Sequence, residues 1–411
     1  MTFEEKLAKY AELAVRIGVN LQSGQELLIS AQLHDAPFVR LVTKKAYEAG
    51  AKQVHIDWED EEISRLNFLL APEESFHEFP EWKILEREKL VEKGAAFMSI
   101  RSTNPDYLQG VDPNRIAAFR KSAGQALHRF RQATQADKVS WTVIGAASQG
   151  WADKVFPNIP AEQRVEKLWE AIFKACRIDQ EDPVGAWKSH DQNLHKIIDY
   201  LNRKKYQKLH YRAPGTDLFV GLPDSHLWVG GSSPNEKGVD FMANMPTEEV
   251  FSAPDRNSVD GYVTSTKPLS LNGNLIENFT LTFKNGKIVD VKAEKGEDLL
   301  RSLIETDEGS QYLGEVALVP DSSPISQSNL LFYNTLFDEN ASCHFAIGSG
   351  YATCIEGGQN LTQEELRQRG VNTSIVHVDF MVGSSEMDID GITEDGTSEP
   401  IFRKGNWAIP F

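Results

Sequence analysis

Glu26-Leu27-Leu28-Ile29-Ser30, then Ala36 to Glu48, then Lys52-Gln53-Val54-His55-Ile56-Asp57 reads as strand, helix, strand. The first run is short, apolar and free of Gly and Pro. The second carries apolar residues at helical spacing and ends at Gly50, and the third is rich in β-branched residues. The same grammar extends in both directions. Glu4 to Ile17 places Leu7, Tyr10, Leu13, Ala14 and Ile17 on one helical stripe that Gly18 stops. Downstream, a helix from Trp82 to Glu92 leads into the apolar strand Ala95 to Ile100. Arg115 to Ala133 is again helical and Val139 to Val143 again a strand. Strands joined by helical crossovers pair in parallel, so this order predicts an α/β fold with a mostly parallel sheet covered by helices on both faces. No Walker-type phosphate loop occurs, and no Gly-x-Gly-x-x-Gly follows a strand, so the common nucleotide-binding uses of such a sheet lack support.

Past Asp179-Gln180-Glu181-Asp182-Pro183 the grammar changes. A helix from Trp187 to Tyr206 acts as a connector, and from Leu209 the chain becomes β-rich. Pro214-Gly215, Asn272-Gly273 and Asn285-Gly286 are turn dipeptides, the last between the alternating runs Phe279 to Phe283 and Lys287 to Val291. Helices are expected at Glu297 to Glu305 and Ile325 to Phe337. This sets the expectation of an N-terminal α/β domain over 1–186 and a β-rich α+β C-terminal domain over 187–411.

The 411 residues suffice for two or three domains at ~150 residues each, and 40% hydrophobic with 25% charged residues is an ordinary globular composition. Sixty acidic residues against 43 basic give a net charge of −17, which argues against a nucleic-acid partner. No signal peptide is visible and no apolar run approaches the ~18 residues of a membrane span. Cys176, Cys343 and Cys354 are too few and too scattered for a disulfide framework, which fits a reducing cytoplasm.

The chemistry concentrates in the second half. His34, His55, His77, His128, His190, His195, His210 and His226 lack a nearby carboxylate pattern of metal type and read as surface or structural residues. In Ser374 to Val382, by contrast, His377 and Asp379 leave one face of an apolar strand together, while Val376, Val378 and Phe380 cover the other. A metal ion would satisfy that buried carboxylate, and so would a simple His–Asp hydrogen bond at a strand edge. Leu336-Phe-Asp-Glu-Asn340 leads by a loop to His344, a spacing that can bring Glu339 and His344 to one ion only if the chain turns back. Glu315 opens the otherwise apolar run Gly314 to Val319. In Pro246-Thr-Glu-Glu-Val-Phe251, Glu248 and Glu249 point different ways, so at most one faces a shared site. Taken together, Glu249, Glu315, Glu339 and Asp379 with His344 and His377 form a mixed oxygen and nitrogen set suited to Zn²⁺, Co²⁺ or Mn²⁺. Four carboxylates would neutralise two divalent cations, as in two-metal hydrolases. Cys343 and Cys354 read as small buried apolar residues.

With these strings in hand, the sequence resembles the thermophilic metalloaminopeptidase family. The resemblance runs from Ala11-Glu-Leu-Ala-Val-Arg-Ile-Gly18 to Gly396 through Gly150-Trp-Ala152, Gly215-Thr-Asp-Leu218 and the four motifs just quoted, in the family's order. It implies a dinuclear metal site in the C-terminal domain, with Glu249 rather than Glu248 as a ligand and Glu315 as the bridging carboxylate. Glu339, His344, His377 and Asp379 complete the implied ligand set. Tyr351, in Gly348-Ser-Gly-Tyr-Ala352, matches a tyrosine used near the metals, where a phenol could donate a hydrogen bond to an oxyanion. The family implies hydrolysis of the N-terminal residue from peptides, in a homodimer whose enclosed cavity admits short peptides. A small hydroxyl residue or alanine is expected where Cys343 stands. An amidase acting on non-peptide substrates and a non-enzymatic metal- or peptide-binding protein are the alternatives, and no general base is assigned.

Overall fold

The computed structural model describes residues 1–271 and 274–410, so the Asn272-Gly273 turn lies outside the described residues. The chain divides into two compact units. One is Met1–His190 with Ser232–Pro246, and the other is Asp191–Gly231 with the chain from Thr247 onward.

The first unit is built on a five-stranded sheet. Its strands are β1 (Glu26–Gln32), β2 (Gln53–Glu59), β3 (Ala96–Arg101), β4 (Trp141–Gly145) and β5 (Asn244–Met245), in the order β2-β1-β3-β4-β5. Every neighbouring pair is parallel. β1 is buried on both faces, as expected of a strand that reads as a continuous apolar run. The helix Ala36–Glu48 spans the residues that its periodicity predicts, whereas Pro113–Ala126 and His128–Gln135 are two helices where one was expected. Helices Glu61–Leu70, Gln149–Val155 and Ala161–Ala175 add to the sequence reading.

A contiguous division at residue 186 does not anticipate the return of Ser232–Pro246 to the first unit. The return is held by pairing: Ser232–Pro234 and Asp240–Met242 form a hairpin, and Asn244–Met245 extends the parallel sheet beside β4. Asn235 Nδ2 donates to Ser140 Oγ at 3.0 Å, and Thr142 Oγ1 donates to the Met242 carbonyl at 2.8 Å.

The second unit is β-rich, with an antiparallel nine-stranded sheet and a four-stranded one. In the larger sheet, Asn274–Lys284 and Lys287–Lys295 form the hairpin predicted around Asn285-Gly286. Asn285 and Gly286 have φ of 49° and 83°, the left-handed pair that such a turn requires. A Cβ on Gly286 would lie 1.7 Å from the Arg256 carbonyl, so only glycine fits.

The smaller sheet runs β6 (Val250–Ser252), β7 (Leu313–Leu318), β8 (His344–Gly348), β9 (His377–Met381), all antiparallel. One face packs Val250, Leu313, Val316, Leu318, Phe345, Ile347 and Phe380 into the main core of this unit. The helix expected at Ile325 to Phe337 is absent as a single element, and only Ser326–Ser328 and Thr335–Asp338 are helical. The Asp338 carboxylate accepts the backbone N–H of Phe332 at 2.7 Å and of Asn334 at 3.0 Å, while Asn334 caps Leu336. These side-chain bonds hold the intervening chain in a loop, with Asn329 and Tyr333 left-handed, against the helical pattern of its apolar residues.

Candidate metal centre

The second face of the four-stranded sheet gathers the polar residues. On β9, His377 and Asp379 share one face while Val378 and Phe380 point to the other, as their two-residue spacing requires. On β8, Ala346 lies opposite both Asp379 and Glu315, and its small side chain leaves space between the two carboxylates. His344, two residues away, shares that face.

Glu315 is there because of a bulge. Leu313 pairs with Ile347, which would put Glu315 opposite Phe345 and into the core in a regular ladder. The register shifts between Leu313 and Glu315, so Glu315 pairs with Ala346 instead, and Val316 takes the core position opposite Phe345. One extra residue therefore turns the carboxylate from the apolar face to the polar one. Gly314 makes this possible. A Cβ there would lie 2.3 Å from the carbonyl oxygens of both Gly348 and Ser349.

Glu249 enters from just before β6 and is buried, and Glu339 enters from the 3-10 turn Glu339–Ala341. Glu249, Glu315 and His344 form one group whose ligand atoms all lie within 4.8 Å of one another, and Glu315, His377 and Asp379 form a second. Glu315 belongs to both. His344 Nε2 is 3.2 Å from Glu249 Oε2 and 3.6 Å from Glu315 Oε1. His377 Nε2 is 3.2 Å from Asp379 Oδ1 and 3.6 Å from Glu315 Oε2. Glu339 joins neither tight group, but its charge is felt by the same residues. Desolvation, then Glu249 and Asp379, push its carboxyl well above the usual range.

The imidazoles are oriented from behind. His344 Nδ1 lies 3.1 Å from the Ser342 carbonyl and His377 Nδ1 lies 2.7 Å from that of Ser349. A carbonyl only accepts, so each Nδ1 carries a proton and Nε2 is the ring atom left to take a cation or a second proton beside the carboxylates. Glu249 Oε2 and Asp379 Oδ1 have no hydrogen-bond donor aimed at them, although both are buried. Lone pairs facing one another in a low-dielectric site repel unless a cation stands between them. Protons can fill that role. Burial alone would lower His344, but Glu249 and Glu315 outweigh it and hold the ring well above its ordinary pKa. His377 is likewise opposed by burial, yet Asp379 and Glu315 raise it to about 9. Glu315 is raised by burial, with Asp379 and Glu249 adding to the shift. A site that draws protons this strongly fits divalent cations, which compete for the same lone pairs.

Tyr351 stands at the rim, 42% exposed, its ring 4.9 Å from that of His377 and 5.9 Å from Phe251. Desolvation of its phenol, then the Glu315 and Asp379 carboxylates, raise its pKa, so the hydroxyl keeps its proton. The other features fall outside this cluster. His226 is buried with Nδ1 2.7 Å from the Pro223 carbonyl, and the three cysteines are buried and not joined in a disulfide. Burial raises the Cys343 thiol to about 11, consistent with a structural residue. The sequence reading did not foresee the bulge or the carbonyls behind the histidines. A glycine immediately before a lone glutamate in an apolar strand was the available signal.

Known proteins resemble the chain over nearly its whole length. The chain is 61% identical to aminopeptidase AmpS of Bacillus subtilis (strain 168) over 408 residues, covering 99% of this chain and 100% of that one. It is 45% identical to aminopeptidase T of Thermus aquaticus, covering 99% of each. The solved structure of wild-type AmpT from Thermus thermophilus superposes with a TM-score of 0.94 at 43% identity, covering 99% of this chain and 100% of that one. The model of the thermophilic metalloprotease family (M29) matches residues 3–407, and the chain belongs to that family.

Proposed function

We propose that the protein is a metal-dependent aminopeptidase that removes the N-terminal residue from peptides. In this reading Glu249, Glu315, Glu339, His344, His377 and Asp379 would hold two divalent cations, Zn²⁺, Co²⁺ or Mn²⁺, with Glu315 shared between the two groups of ligands. The observation that carries it is the pair of histidine Nε2 atoms facing carboxylate oxygens at 3.2–3.6 Å, with Glu315 between them. Bound there, the cations supply water activation near neutral pH and polarisation of the scissile carbonyl.

The chain's own residues do the rest. A substrate's free α-amine would be held at this centre, by a cation or by one of the carboxylates, which would select peptide ends. The phenol of Tyr351, held protonated, donates a hydrogen bond to the oxygen on which negative charge develops. Glu315 contributes to catalysis by fixing both halves of the site at one distance. We further infer a homodimer that restricts the site to short peptides, and action in the cytoplasm, where the three thiols stay reduced. Among the described residues no helix is long and apolar enough to cross a membrane.

The test is a peptide series assayed with chelated and reloaded protein. Chelation should abolish turnover, and Co²⁺, Zn²⁺ or Mn²⁺ should restore it. Peptides with a free N-terminus should shorten stepwise while N-acetylated versions survive, because acetylation removes the amine that a cation or carboxylate would hold. Full activity of a metal-free protein would overturn the metal reading. Equal cleavage of both peptide forms would instead point to the amidase alternative, and no chelator-sensitive turnover at all would favour a binding protein.

A further inference from the structure

Four of the six clustered side chains are held by the ladder of the four-stranded sheet: Glu315, His344, His377 and Asp379. Glu249 and Glu339 are not. Glu249 precedes the first residue of β6, and Glu339 sits on a short 3-10 turn outside the sheet. Something other than strand pairing must hold them at a common centre.

Asn340 meets that need. It is fully buried, next to Glu339 in the chain. Its Oδ1 accepts the backbone N–H of Glu248 at 2.7 Å, the residue immediately before Glu249 and 92 positions away in sequence. Its Nδ2 donates to the Leu336 carbonyl at 3.1 Å and reaches Glu339 Oε1 at 3.5 Å. The amide cannot be turned over, since oxygen must face the Glu248 N–H and nitrogen must face the Leu336 carbonyl. One side chain therefore joins the segment that carries Glu249 to the turn that carries Glu339. From this geometry we infer that Asn340 is a positioning residue of the metal centre, setting Glu249 and Glu339 at the separation the cations require.

The inference rests on the metal centre proposed above, and one experiment separates the two. Metal-free parent, Asn340→Ala and Asn340→Asp proteins are titrated with Co²⁺ against a chelating indicator, and their metal-free thermal unfolding is recorded. Outer partners of metal ligands are commonly worth ~10–100-fold in affinity, and Asn340→Ala should weaken Co²⁺ binding by a factor in that range. At saturating Co²⁺ most of kcat should return with KM unchanged, because Asn340 acts through the ligands and not on the peptide. Asn340→Asp keeps the size and the acceptor for Glu248 but loses both donors. Its added negative charge alone would tighten cation binding, so weaker binding reports lost positioning.

Co²⁺ affinities equal to the parent's, or tighter in Asn340→Asp, would overturn the inference while leaving the metal centre intact. A lowered unfolding temperature with unchanged affinity would have the same consequence, as would failure of both variants to fold, since Asn340 would then serve the fold alone. A parent protein that binds no Co²⁺ would overturn the metal centre itself.

Discussion

Gly314→Ala puts a methyl group where the structure has no space for one. The new Cβ would lie 2.3 Å from the carbonyl oxygens of Gly348 and Ser349, roughly 1 Å inside van der Waals contact. Neither oxygen is free to retreat. Gly348 O accepts Asn372 Nδ2 at 2.6 Å, and Ser349 O accepts the Nδ1–H of His377 at 2.7 Å. Overpacking of this kind costs ~1–3 kcal/mol, and losing two hydrogen bonds of ~0.5–1.5 kcal/mol each brings the total to about 2–6 kcal/mol. At about 2–4 °C per kcal/mol for a domain of this size, the melting temperature should fall visibly in calorimetry. The functional effect should exceed the structural one. The chain can relieve the clash only by moving the carbonyl that orients His377 or by giving up the bulge that turns Glu315 toward the site. Either way, metal content after dialysis should drop, with affinity reduced ~10–100-fold or more. A Gly314→Ala protein that melts with the parent and retains the same metal would refute the role given to the bulge.

Glu315→Gln should lose bound metal together with activity, since a neutral amide is a poor partner for two cations at once. Tyr351→Phe should keep its metal and its KM while kcat falls ~10²–10³-fold, and metal analysis beside steady-state kinetics separates the two. Wild-type turnover by Tyr351→Phe would show that the tyrosine is structural. In the first unit, Asp57 is opposed by burial but held below the ordinary carboxylate pKa by Arg87 at 2.5 Å and Lys83 at 3.1 Å. Its folded-state pKa is depressed, so its stabilisation is complete above the unfolded value of ~3.9 and is lost as pH falls through the folded one. Asp57→Asn should therefore be less stable than the parent at pH 7, by ~1.5–3 kcal/mol for the charged hydrogen bonds removed, with the gap closing in acid. A gap that stays constant down to pH 2 in denaturant titrations would contradict this.

Much of the architecture is local and so was readable from the sequence. Ala36–Glu48 forms a helix on the residues its periodicity names, and the hairpin around Asn285-Gly286 follows from a dipeptide that tolerates left-handed backbone. The pairing of His377 with Asp379 is local too, because residues two apart on a strand share a face whatever lies beside them. Ile325 to Phe337 shows where such reasoning stops. Its apolar spacing is helical, but the carboxylate of Asp338 binds the backbone N–H groups of Phe332 and Asn334 and holds a loop instead. The candidate site depends on the same kind of event. Composition and motif placed Glu315 in an apolar strand, yet the face it occupies depends on a one-residue shift against β8, a strand some thirty positions away in the chain. The approach of Glu249 to Glu339 likewise depends on the amide of Asn340. Residue types and two-residue spacings are properties of a segment alone. Register, bulges and the hydrogen bonds that join distant loops exist only once the segments have packed, and they determine which carboxylates meet.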